Sequence, residues 1–234
     1  MQLNRQVWDK ESIKELEEYL NTLSRPSKIE WTQNIIRTSM PLLAIESSKL
    51  RSIAKEIRKG NCLSFLDNCS YSNYEMTVIC GYVLNCEKDF EIIKNYLQKY
   101  LTHVDCWASC DILKLNNKKC KQKIFDLVQE LLKDDKTFVR RAGVKIMFSY
   151  AADEQYIQKI FATLNSLHDE KEYYVNMIAA WLFCDMFIKQ RESTIEFLKT
   201  HNLNTFTINK GVQKCRDSFR VSEEDKKMLL KYKK

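Results

Sequence analysis

Apolar residues recur at three- and four-residue intervals along most of the chain, the spacing that puts them on one face of an α-helix. In ESIKELEEYLNTL the stripe is Ile13, Leu16, Tyr19, Leu20 and Leu23. KLRSIAKEIRKG repeats it with Leu50, Ile53, Ala54 and Ile57, then stops at Gly60. DFEIIKNYLQKYL carries Phe90, Ile93, Tyr96, Leu97 and Tyr100, and KQKIFDLVQELLKD carries Ile124, Leu127, Val128 and Leu131. NYEMTVICGYVLN, TFVRRAGVKIMFSYAA, EQYIQKIFATLNSL, EYYVNMIAAWLFCDMFI, STIEFLKTHN and EEDKKMLLKY complete the run. Ser222 stands before three acids, Glu223, Glu224 and Asp225, as a helix start requires, and Asp153-Glu154 and Asp169-Glu170 are expected to open helices in the same way.

The pattern predicts an all-α protein with no sheet. Helix pairs recur roughly every 35 to 40 residues, which points to a HEAT-like repeat solenoid of about six pairs forming a right-handed α-α superhelix. Residues 1–234 would form a single such domain. A compact orthogonal bundle is the competing architecture. A solenoid has a concave inner surface, which suits a long rod such as DNA. The scarcity of turn residues, 4 Gly and 2 Pro in 234, fits helices joined by short polar links.

Charge adds a candidate partner. The formal net charge is +7 and it is unevenly placed. Ile112 to Lys145 holds 10 Lys/Arg against 4 Asp/Glu, and Phe206 to Lys234 holds 9 against 4. The rest of the chain is therefore at 7 − 6 − 5 = −4. Two basic segments in an otherwise slightly acidic chain can build a phosphate-binding patch, here a concave basic cleft facing DNA. Its candidate cations are Lys114, Lys118, Lys119, Arg140, Arg141, Lys145, Lys210 and Lys214. A solvated, screened surface is the alternative.

Within DCWASCDILK, Trp107 and Asp111 lie four apart and would share one helix face. A carboxylate beside an indole in a basic cleft makes sense if the cleft receives an anionic polymer that carries a local cation. The indole face attracts a cation, and a preorganised carboxylate stabilises positive charge that develops in a reaction. A core Trp with a solvated Asp is the other reading.

The nine cysteines contain no C-x-x-C and only three histidines accompany them, so neither a metal site nor a cofactor is expected. Reduced, buried thiols and an N-terminus, MQLNRQVWDKESIKEL, without an apolar core predict a cytoplasmic protein, nucleoid-associated when bound to DNA. VNMIAAWLFCDMFI is interrupted by Asn176 and Asp185 and reads as a buried helix rather than a membrane span.

From Pro26 to Arg220 the chain resembles the AlkD-type DNA alkylation repair family, the HEAT-like repeat DNA glycosylases. The matching stretches are MPLLAIESSKLRSIAKEI, VDCWASCDILK, DKTFVRRAGVKIMFSY, EYYVNMIAAWLFCDMF and EFLKTHNLNTFTINKGVQKCRDSFRVS, in that order. The resemblance implies that Trp107 and Asp111 line the DNA-facing cleft, with Trp181 as a second cleft indole and Arg141 as a phosphate contact. It also implies excision of cationic purines alkylated at N3 or N7, by a monomer acting on double-stranded DNA. Asp111, Trp107 and Trp181 would be the catalytic set. The family is noted for acting without swinging the base into a deep pocket, so no large base pocket is expected. One departure stands out: Ala44 replaces a usual glycine, and Thr32 to Met40 contains no Tyr, Phe or Lys and only Arg37 as a cation. A branch with this feature keeps the fold without efficient excision. A catalytically inactive DNA-binding paralogue therefore stands beside the enzyme reading, and a HEAT-like protein-interaction scaffold is the third.

Overall fold

The computed structural model describes residues 1–234. It is all-helical, with fourteen α-helices, two short 3-10 turns and no strand. In order these are α1 (Lys10–Thr22), α2 (Pro26–Ile36), α3 (Ser47–Ile57), α4 (Cys62–Asn68), α5 (Tyr74–Leu84), α6 (Phe90–Leu101) and α7 (Trp107–Asp111). After a 3-10 turn at Lys118–Cys120 come α8 (Lys121–Leu131), α9 (Thr137–Met147), α10 (Glu154–Ser166) and α11 (Tyr173–Lys189). Then follow α12 (Arg191–Thr200), α13 (Thr205–Asp217) and α14 (Glu223–Leu229), with a last 3-10 turn at Leu230–Tyr232. No helix is long and apolar enough to cross a membrane. The chain divides into two compact units, Met1–Ile124 and Phe125–Lys234.

The first unit is built around α5. Met76, Val78, Ile79, Cys80, Val83 and Leu84 are all buried, because this helix is apolar on every side. Helices α3, α4, α6 and α7 pack on it. The α3 stripe read from the sequence, Leu50, Ile53, Ala54 and Ile57, is the face that α3 buries. Close approach is possible at Gly81, where an added Cβ would lie 2.5 Å from Ile112 Cδ1 and 2.8 Å from Tyr100 Oη. The backbone of α5 thereby meets the residue just after α7.

The second unit is built around α11, against which α9, α12 and α13 pack. Asn176, the residue that interrupts the apolar run, is buried and fully used. Its Nδ2 donates to the Glu170 carbonyl at 2.9 Å, and its Oδ1 accepts from Asn204 Nδ2 at 2.8 Å and from Thr207 Oγ1 at 2.9 Å. One polar side chain thus ties the start of α11 to the start of α13. Asp153 and Ser222 cap α10 and α14 as expected. Asp169-Glu170 does not cap α11. The helix begins at Tyr173 after Glu172, which makes no side-chain cap, and Glu170 is drawn into an ion pair instead.

Candidate functional site

Helix α7 is a single turn of five residues, too short to persist without tertiary support. Four anchors supply it. Tyr100 Oη, fully buried on α6, donates to the Ser109 carbonyl at 2.8 Å. Asn85, at the end of α5, donates from Nδ2 to the Ile112 carbonyl at 2.8 Å and accepts the Lys114 N–H at 2.7 Å. Trp107 Nε1 donates to the Ile35 carbonyl at the end of α2, at 3.1 Å. Asp105, just ahead of α7, accepts from Thr38 Oγ1 at 2.7 Å and Ser39 Oγ at 2.7 Å. The indole N–H of Trp107 is therefore spent on fixing its ring, and the π-face is what remains for a ligand.

The neighbouring loop is held from beneath by a buried carboxylate. Glu75 has no exposed surface, and its carboxylate accepts the N–H groups of Leu43 at 3.1 Å and Ile45 at 3.3 Å. Burial pushes the Glu75 carboxyl above the usual glutamate range, while the backbone N–H groups of Leu43, Ile45 and Ala44 pull it down. Between these anchors Ala44 adopts a left-handed conformation with φ 56°.

Together these elements enclose a cleft of about 840 Å³ in which Trp107 and Asp111 both take part. Four aromatic residues from three helices line it: Trp31 on α2, Tyr74 and Tyr82 on α5, and Trp107. Arg51 and Lys55 on α3, Arg58 at its C-cap and Lys114 after α7 supply positive charge. Arg51 Nε donates to Tyr82 Oη at 3.2 Å, and this contact holds the guanidinium above its ordinary pKa. Burial pushes the Tyr74 phenol up, so it stays a neutral hydroxyl at physiological pH. The spacing of Trp107 and Asp111 does place them in one cleft. The size of that cleft departs from the expectation of no large pocket.

The remaining sequence candidates fall elsewhere. Lys118 and Lys119 are exposed on the 3-10 turn and, with Lys114, border a shallower depression of about 450 Å³. In the second unit Trp181 is 47% exposed while its neighbours Ala180 and Leu182 are buried, so it is not a core residue. The Lys214 ammonium lies 4.8 Å from the Trp181 ring centroid, and these two share a surface. Lys210 is exposed, 5.9 Å from the Phe206 ring. Lys145 is half-buried, 5.1 Å from the Phe148 ring.

The two arginines of α9 are not free surface cations. Arg141 is only 6% exposed and donates from Nη1 to the Tyr174 carbonyl at 2.7 Å. Arg140 forms a two-pronged ion pair with Glu170, at 2.8 and 3.1 Å, and also donates to the carbonyls of Asp134 and Asp135 at 2.8 and 2.9 Å. Burial raises the Glu170 carboxyl, but the Arg140 guanidinium and the N–H groups of Glu172 and Lys171 together outweigh it, and the net shift is downward. Both arginines serve the architecture around the start of α11.

Sequence reasoning overlooked Arg51, Lys55, Arg58, Trp31, Tyr74 and Tyr82. The three cations were legible, since i, i+4 and i+7 form a stripe on the helix face away from Leu50, Ile53 and Ile57. Trp31 sits one residue ahead of the atypical segment Thr32 to Met40. Tyr74 and Tyr82 lie in a uniformly apolar helix, where periodicity cannot say which side faces a cleft.

The model of the family described as DNA alkylation repair enzyme matches residues 16–214, most of the chain. The protein belongs to the DNA alkylation repair enzyme family. No curated protein matches the chain. Membership makes DNA the substrate or partner of this DNA alkylation repair protein, and it spans both the α7 cleft and the Trp181 surface.

Proposed function

We propose that the protein is an AlkD-type DNA N-glycosylase that excises cationic N3- or N7-alkylated purines from double-stranded DNA. It would act as a monomer, without metal or cofactor. The observation that carries this reading is the meeting of Trp107 and Asp111 in one aromatic, cation-rimmed cleft. Alkylation leaves the purine positively charged and its N-glycosidic bond weak. As the C1′–N bond breaks, its electron pair neutralises the base and the deoxyribose gains oxocarbenium character. Asp111 stabilises that developing charge and orients a water, whose oxygen bonds to C1′ as its proton passes to the carboxylate or to solvent. The Trp107 face, fixed by its bond to Ile35, attracts the cationic lesion and sugar, and Trp181, beside Lys214 on the second unit, is the second catalytic indole of this reading. Lys114, Lys118, Lys210 and Lys214 meet phosphates, and Arg140 and Arg141 act as positioning residues.

The family match favours DNA over a protein partner as the ligand. One observation favours a second reading. Ala44 occupies a left-handed position in the loop where the resemblance implies glycine, beside the atypical 32–40 segment. A DNA-binding paralogue without excision would carry such a change. The two readings separate on incubation of the protein with methylated DNA. Release of free 7-methylguanine or 3-methyladenine, leaving apurinic sites, supports the enzyme. Binding with no released base supports the paralogue.

A further inference from the structure

Helices α11 and α13 make the most extensive helix–helix contact in the molecule. Near their starts, Asn176 on α11 accepts from Thr207 Oγ1 on α13 at 2.9 Å. Further along, Phe183 stands against Gly211, where an added Cβ would lie 2.6 Å from the ring. The Lys214 ammonium lies 4.8 Å from the Trp181 ring centroid. Positions therefore rise together along the two helices, and the register brings Cys184, next to Phe183, to Cys215, next to Lys214. The two thiols share a hydrogen bond. Gly211, one turn before Cys215, lets the backbones approach closely, as a bond between cysteines on separate helices requires.

The two sulfurs are chemically unequal. Cys215 has no exposed surface, whereas Cys184 keeps 8% of its own. The hydrogen bond from Cys215 holds the Cys184 thiol below its ordinary pKa, and the positive charges of Arg220 and Lys214 act in the same direction. Burial and Asp185 oppose them, and Asp185 is itself paired with Lys189 at 2.7 Å. The same hydrogen bond, burial and Asp225 push the Cys215 thiol up, so it keeps its proton. A thiolate beside a protonated thiol makes an attacking and a resolving cysteine. Cys62 and Cys86 are more exposed, but burial pushes both of their thiols up, away from the reactive form.

We propose that Cys184 and Cys215 form a peroxide-responsive dithiol whose disulfide locks α11 to α13. The Cys184 thiolate attacks one oxygen of hydrogen peroxide, the O–O bond breaks, and hydroxide leaves and takes up a proton as water. Cys184 is then a sulfenic acid. The Cys215 sulfur attacks it, the S–O bond breaks, and the departing hydroxide takes the Cys215 proton as a second water. One peroxide is reduced and two thiols become one disulfide, which a dithiol reductant reverses by exchange. The site does not depend on excision or on DNA.

The test exposes the reduced full chain to a few equivalents of hydrogen peroxide, blocks free thiols with iodoacetamide and maps the peptides by mass spectrometry. A linked Cys184–Cys215 peptide should form before Cys62 or Cys86 is oxidised, and dithiothreitol should remove it. Closing the loop between positions 184 and 215 restricts the unfolded chain, so the oxidised protein should gain about 5 °C in thermal midpoint. Cys215→Ser should give no link and leave Cys184 as a sulfenic acid that dimedone traps. Cys184→Ser should leave Cys215 unmodified. If either variant fails to fold, the map of the wild type decides. Thiols at 184 and 215 that stay free, or that react only after Cys62 and Cys86, overturn the proposal. So does a wild-type Cys184 oxidised without a link to Cys215. A linked protein whose midpoint is unchanged or lower overturns the lock between the helices.

Discussion

Ala44 holds φ at 56°, a conformation that costs a residue with a Cβ about 1–2 kcal/mol. It persists because Glu75 holds the N–H groups on either side of it. A β-branched side chain there adds a steric clash, whereas glycine removes the strain but also loses a buried methyl and gains unfolded-state freedom. Chemical denaturation should place Ala44→Gly within about 1 kcal/mol of wild type and Ala44→Val about 2 kcal/mol or more below it. Equal stability of the two variants would mean that the loop relaxes freely. At Arg140 the prediction concerns pH. Glu170 has a lowered folded pKa, so its pair contributes stability above the ordinary glutamate range and loses it as pH falls through the folded value. Arg140→Gln should cost about 2 kcal/mol near neutrality, since it leaves a mostly buried carboxylate with only the N–H groups of Lys171 and Glu172. The difference from wild type should shrink in acid and DNA affinity should barely move; an affinity loss with unchanged stability would restore Arg140 as a phosphate contact. This pairing was not legible in the sequence, because Arg140 and Glu170 are 30 residues apart and spacing encodes no such contact. Trp107 and Asp111 were legible, because both their residue types and their four-residue offset carry the argument.

Amphipathic helices were visible wherever one stripe faces a core, as in α1, α3, α6 and α8. Helices α2, α4 and α13 escaped the periodicity: α2 buries only Ile36, α4 is 7 residues long, and α13 carries Gly211 and many polar residues between its buried positions Ile208, Val212 and Cys215. Gly211 explains itself only in three dimensions. An added Cβ would lie 2.6 Å from Phe183 Cδ1, a ring on α11 with no exposed surface. Alanine improves helix propensity by about 1 kcal/mol, but overpacking costs about 1–3 kcal/mol. Gly211→Ala should therefore lower the thermal midpoint despite the better helix former. A raised midpoint would show that α11 and α13 can separate by the needed fraction of an ångström. The caps of α10 and α14 followed from Asp153 and Ser222, whereas Glu170 went to Arg140 and left α11 to start later.

The whole molecule carries a net charge of +7, and its family membership makes DNA the counterpart of that charge. Binding should weaken steeply with salt, because each neutralised phosphate releases counterions and adds about 0.9 to the logarithmic slope for duplex DNA. Replacing Arg51, Lys55 and Arg58 together by Gln should flatten the slope by about 2.7, three contacts' worth, if all three meet duplex phosphates. An unchanged slope would remove α3 from the interface. The central claim is that the Asp111 carboxylate stabilises positive charge on the sugar as an alkylated base departs. Single-turnover release of 7-methylguanine from methylated duplex DNA, compared between wild type and Asp111→Asn, tests it most directly. The amide keeps the shape and removes the charge, so the rate should fall by about 10²–10³ while DNA affinity and thermal midpoint stay close to wild type. An Asn variant that releases the base as fast as wild type, or a wild type that binds the DNA and releases none, would contradict it.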